Sequence, residues 1–138
     1  MTRRECEDFE RTRNTTMKYT RLFAADDGES HFADVEIQFA DSDYESSAPP
    51  LGLSSFSDAT QFGFMNAPSG WEIDWHPSSA RNFFVVMTGE WEVTASDGEV
   101  RRFRNGDLLL VEDTTGKGHK SRVIADSIAV MVELSKRN

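Results

Sequence analysis

From residue 17 onward, apolar side chains recur with a period of two in short runs, and turn-forming residues break those runs about every 8–12 positions. A period of two belongs to a strand with one buried face, because successive side chains leave the backbone on opposite sides. In residues 34–40, Val35, Ile37 and Phe39 alternate with Glu36 and Gln38, and residues 60–65 and 71–75 repeat the pattern. Residues 18–24 are a further strand candidate. Residues 82–88 (NFFVVMT) are almost continuously apolar, which fits a strand covered on both faces. Strands are also expected at residues 91–95, 99–104, 107–111, 121–125 and 128–134. Asp97-Gly98 and Asn105-Gly106 read as hairpin turns, since Gly and Asn tolerate positive φ, and Thr88-Gly89 as another turn. Residues 41–58, rich in Ser, Asp and Pro, read as a long surface loop carrying one short strand. No segment has helical periodicity. About ten short strands with little helix imply an all-β sandwich or barrel.

Composition narrows the partners. A chain of 138 residues is long enough for one core, and a single domain over residues 17–138 is expected. Residues 1–16 hold four Arg and four acidic residues and little that is apolar, and read as a polar N-terminal extension. The net charge of −9 disfavours a phosphate-backbone partner and an anionic lipid surface, so neither nucleic acid nor membrane is expected. No run approaches the roughly 18 apolar residues of a membrane span. The single cysteine, Cys6, permits no intrachain disulfide and suits a reducing compartment, so a cytoplasmic location is expected. Ten Phe and three Trp point to an aromatic core or pocket.

Residues 70–89, GWEIDWHPSSARNFFVVMTG, carry a more specific pattern. Gly70 is followed by five residues and His76, Ser78 stands two places on, Asn82 four places after that, and Gly89 closes the stretch. This resembles the first motif of the cupin superfamily, in which a second His and a Glu occupy the places of Ser78 and Asn82. The stretch GDLLLVEDTTGKGH, beginning at Gly106, resembles the second motif. There Glu112 and Thr114 replace a Pro and a Gly, Lys117 holds the strict His position, and His119 lies two residues late. The resemblance covers roughly residues 60–134, and small one-domain cupins are the most similar. It implies an antiparallel jelly-roll β-barrel, a homodimer, and a site where His76 and His119 face each other across the barrel.

Metal-bearing cupins hold a divalent ion with two His and a Glu from the first motif and one His from the second. Carried over, that set leaves His76 and His119 as metal ligands, with Asp74, Glu112 or Asp113 as sources of a carboxylate; Asp74 shares alternation parity with His76. Ser78 and Asn82 are neutral and weak ligands. Each singled-out residue also has a plainer role. His76 can be a hydrogen-bonded rim residue, His119 an exposed loop residue, and Asn82 a group satisfying nearby backbone. Arg81 can clamp a ligand carboxylate or, more commonly, form a surface ion pair. His31, in a turn, is expected at the surface.

The stretch TTGKGHKS lacks the first Gly and the Ser/Thr of a P-loop, and a strand follows it. Its glycines free backbone N–H groups beside Lys117 for an anion, although a lid or turn over the barrel mouth is the favoured role. The Trp71, Ile73, Trp75 stripe lines a pocket or meets a second subunit. The expected function is binding of a small polar organic molecule inside the barrel, with His76, Ser78, Asn82, His119, Lys117 and Arg81 as candidate contacts. Besides a purely structural or protein-interaction role, two enzymatic alternatives stay open. One is a metal-dependent cupin enzyme of dioxygenase or isomerase type with rearranged ligands. The other is a metal-free acid–base catalyst using a histidine.

Overall fold

The computed structural model describes residues 2–4 and 16–137. The expected N-terminal extension and Cys6 fall almost wholly outside the described residues. Among the described residues ten strands form: β1 (Met17–Ala24), β2 (Ser30–Ile37), β3 (Ala40–Ser42), β4 (Leu51–Leu53), β5 (Ala59–Ala67), β6 (Glu72–His76), β7 (Arg81–Ala95), β8 (Val100–Phe103), β9 (Leu108–Glu112) and β10 (His119–Leu134). No described helix is long and apolar enough to cross a membrane.

The chain divides into two compact units. The smaller comprises residues 1–18 and 36–56, and its described part contains the hairpin of β3 and β4. The single short strand expected in the 41–58 loop is thus a strand pair. The larger unit, residues 19–35 and 57–138, carries nearly all of the remaining strands. Its hydrogen-bonded order is β2-β1-β9-β7-β10-β5, with β6 also on β10 and β8 also on β7.

This is the expected all-β jelly-roll class, with three differences in detail. First, β1 pairs with β9 in parallel, so the sheet is not wholly antiparallel. Second, Asn105-Gly106 is a turn but not a hairpin: β8 and β9 pair with β7, at opposite ends of it. Third, four expected short strands are two long bent ones. Residues 82–88 and 91–95 join in β7, and residues 121–125 and 128–134 join in β10.

The bend explains how one strand serves two walls. Gly89 lies mid-β7 with φ 82°, and a Cβ there would overlap the carbonyl oxygens of Ala125 and Asp126 on β10. Only glycine allows this conformation together with this approach. The β7–β10 register shifts at the same place, between Val123 and Ala129. Side-chain parity therefore changes along β7: Phe84 and Val86 face inward before the bend, Trp91 and Val93 after it. The core gathers Leu22, Phe32, Val86, Val93, Ala95, Phe103, Leu109 and Val111, with Phe84 and Trp91 packed against it.

Candidate functional site

The core is hollow. A cavity of about 270 Å³ lies among β5 to β10, roughly nine water volumes at ~30 Å³ each. Its walls are mainly apolar: Phe84, Val86, Val93, Phe103, Leu109 and Val111 come from the core side. Trp71 and Trp91 meet edge-on, ring centroids 5.8 Å apart. The Trp91 indole N–H donates to Ser127 Oγ at 2.8 Å, so this ring turns only its apolar body to the cavity.

One end is polar. His76 and His119 are directly opposed in the β6–β10 register, with ring centroids 4.7 Å apart. They are neighbours on adjacent strands, which corrects the expectation that they face each other across the barrel. A bulge brings them together. Between this pair and the next, Ser121 opposite Ile73, β6 uses three residues where β10 uses two. The extra residue resets the alternation, so both Ile73 and His76 line the cavity. The same reset overturns the parity argument for Asp74. Its side chain is exposed and accepts from the Trp75 N–H at 2.9 Å.

Both imidazoles are oriented through Nδ1. His76 Nδ1 lies 2.8 Å from the Asp74 carbonyl oxygen, which can only accept, so Nδ1 carries the hydrogen. His119 Nδ1 donates to Asp113 Oδ2 at 2.6 Å. Asp113 is fully buried, and His119 is 6% exposed. In the neutral rings both Nε2 atoms are then lone-pair acceptors. Asp113 Oδ1 has no hydrogen-bond partner, and neither does the buried Asn82 Oδ1. Gly118 permits the close strand approach: with φ 74°, a Cβ there would overlap the His76 carbonyl.

Four of the six expected contacts, His76, Ser78, Asn82 and His119, line the cavity. Ser78 Oγ donates to the Ala80 carbonyl at 2.6 Å, and its backbone N–H donates to the Asp113 carbonyl at 2.9 Å. Arg81 and Lys117 are not among the lining residues. Arg81 bonds Glu112 Oε2 at 2.9 Å and the Ser135 carbonyl at 2.9 Å. Lys117 pairs with Glu29, which holds its ammonium above the usual lysine range. The Lys117 backbone N–H donates to the Gly28 carbonyl at 2.9 Å, pinning the glycine-rich loop to the β1–β2 turn. Of the aromatic stripe, Trp71 and Ile73 line the cavity, while Trp75 is exposed under the Lys120 ammonium. His31 pairs with Asp97 at 2.8 Å.

The donor set does not fit the metal that the family motifs imply. Glu112 is taken by arginines, Asp113 faces Nδ1 of His119, and Asp74 is exposed. Among the described residues no three His, Cys, Asp or Glu side chains group as a metal site. Two imidazoles beside a hydroxyl and an amide fall short of the three or four good ligands that fix a divalent ion. Sequence reasoning missed the pairing of Asp113 with His119 and the cavity walls Met65, Phe84 and Trp91. An Asp two positions after the apolar run LLLV and six before His119 was the available signal for the first.

A family model described as the EutQ-like cupin domain matches residues 55–129, more than half of the chain. No curated protein matches. Several solved structures are similar. An RmlC-like cupin from Shewanella frigidimarina has 17% identity and a TM-score of 0.47, covering 86% of each chain. The Cnp3 cupin domain of Schizosaccharomyces pombe has 16% identity and a TM-score of 0.45, covering 86% of this chain and 88% of that one. A conserved protein of unknown function from Streptococcus pyogenes has 19% identity and a TM-score of 0.46, covering 62% and 72%.

Proposed function

The chain belongs to the EutQ-like cupin domains, and from that premise we propose that it binds a small organic molecule in the cavity beside His76 and His119. The observation that carries this reading is the cavity itself: an apolar hollow with two oriented imidazoles at one end. Drug-sized ligands occupy about 300–1,000 Å³, so about 270 Å³ favours a smaller molecule. The walls suit a compact apolar body. The imidazole end suits one polar group that donates a hydrogen bond to a lone pair.

We propose binding without a tightly held metal, because Ser78 and Asn82, at two of the family ligand positions, are poor ligands. We also propose a cytoplasmic location, which the single cysteine suits. The test is a thermal-shift and calorimetric screen of small ring compounds bearing one hydroxyl, amide or amine group, with elemental analysis of the purified protein. At least one compound should raise Tm in wild type. Ala129→Leu, which fills a buried lining position, should abolish the rise. A stoichiometric metal that survives dialysis would contradict the metal-free reading.

A further inference from the structure

We propose that His119 is a general base, oriented by Asp113, that removes a proton from a carbon acid held in the cavity. This goes beyond binding, and it rests on the cavity reading. Three observations meet at one ring. The Nδ1 hydrogen is held by a carboxylate at 2.6 Å. That carboxylate is fully buried, so water does not compete for the bond. The opposite nitrogen belongs to a residue lining an apolar cavity. A carboxylate on Nδ1 holds the tautomer that keeps Nε2 basic and stabilises the imidazolium formed when Nε2 takes a proton. Asp113 meets His119 and is not among the residues lining the cavity, so its role is positioning. Ion-pair carboxylates elsewhere in the unit differ: Glu90 and Glu92 meet arginines at the surface.

A basic nitrogen beside mainly apolar walls suits proton transfer from carbon. The substrate is a small molecule whose C–H is acidified by a neighbouring carbonyl. The C–H bond breaks, its electron pair moves toward the carbonyl as an enolate, and the proton goes to His119 Nε2. Return of that proton to carbon or oxygen completes an isomerisation, with no oxidant or reductant required.

The probe is 5-nitrobenzisoxazole, a compact bicyclic carbon acid. Its C–H proton goes to the base, the C–H electron pair completes a nitrile, the N–O bond breaks, and a coloured phenolate leaves. Wild type should show saturable turnover at least ~100-fold above the same concentration of free imidazole. His119→Gln should fall to the free-imidazole rate while still quenching tryptophan fluorescence on probe binding. Asp113→Asn should bind the probe, turn it over at least ~10-fold more slowly, and change the His119 imidazole nitrogen spectrum toward a mixed tautomer. Probe binding without turnover above imidazole would overturn the base assignment and leave the cavity reading standing. Absence of probe binding would overturn both. Should His119→Gln fail to fold, wild type alone still decides: a His119 spectrum with the hydrogen on Nε2 contradicts the proposal.

Discussion

Glu112 and Asp113 are adjacent in sequence, both side chains are buried, and they are used in opposite ways. Glu112 is saturated. It pairs with Arg21, with Arg81 at 2.9 Å and with Arg137 at 3.1 Å. Burial pushes its carboxyl up, but hydrogen bonds from Arg21 and Arg81 outweigh that and hold it below the usual range. Asp113 meets one imidazole and leaves Oδ1 without a partner. Neighbours at the end of a strand point to opposite faces, so a single step along the chain separates an ion cluster on one side from the His119 ring on the other. A fully partnered carboxylate holds elements together. One with a spare oxygen and a single titratable partner is arranged for chemistry and adds less to stability.

Four outcomes test that contrast. The largest concerns the backbone beneath the imidazole side. Gly118→Ala places a Cβ against the His76 carbonyl at positive φ, and strain of that kind costs about 1–3 kcal/mol before the overlap is counted. The variant should lose at least that much stability in denaturant titration and lose cavity binding with it. Next, Glu112→Gln leaves three guanidiniums without their counter-charge. Loss of one partner of a buried pair costs about 3–5 kcal/mol. Because Arg137 is 63% exposed, the lower end, about 3 kcal/mol, is expected by chemical denaturation, with cavity binding retained.

The third outcome is a pH effect. A carboxyl whose folded-state pKa lies below its ordinary value of 4.5 stabilises the fold above that value, and the contribution is lost as pH falls through the lowered pKa. Wild type should therefore lose more stability than Glu112→Gln between pH 7 and about pH 3. Equal losses would show that Glu112 is not the group responsible. The smallest expected stability change is in Asp113→Asn. The amide oxygen can still accept from Nδ1 and a buried charge is removed, so stability should move by about 1 kcal/mol or less. Its effect should fall on chemistry instead. A loss as large as that in Glu112→Gln would erase the distinction between the two carboxylates.

The sequence made the fold class readable because strand alternation and turn glycines are local signals. Gly70, Gly89 and Gly106 all sit at positive φ, as their places in the motif frame required. Less readable was anything set by register. The bulge in β6 cancels the parity shared by Asp74 and His76, and the merging of residues 82–95 depends on how β10 closes against Gly89. His76 was found by motif spacing and His119 two residues beyond its motif position, and their adjacency came from strand pairing that no local pattern states. For Arg81 the sequence left a ligand clamp and an ion pair open, and the structure commits it to Glu112, 31 positions away in the chain.

The central claim is that His119 turns a basic Nε2 into a cavity that admits a small molecule. The most direct measurement is a two-bond proton–nitrogen NMR spectrum of the imidazoles near neutral pH, recorded with and without 5-nitrobenzisoxazole at a concentration where tryptophan fluorescence is quenched. The account predicts that His119 carries its hydrogen on Nδ1, and that the probe shifts the Nε2 resonance while leaving His31 unchanged. A hydrogen on Nε2, or an Nε2 resonance indifferent to bound probe, would contradict it.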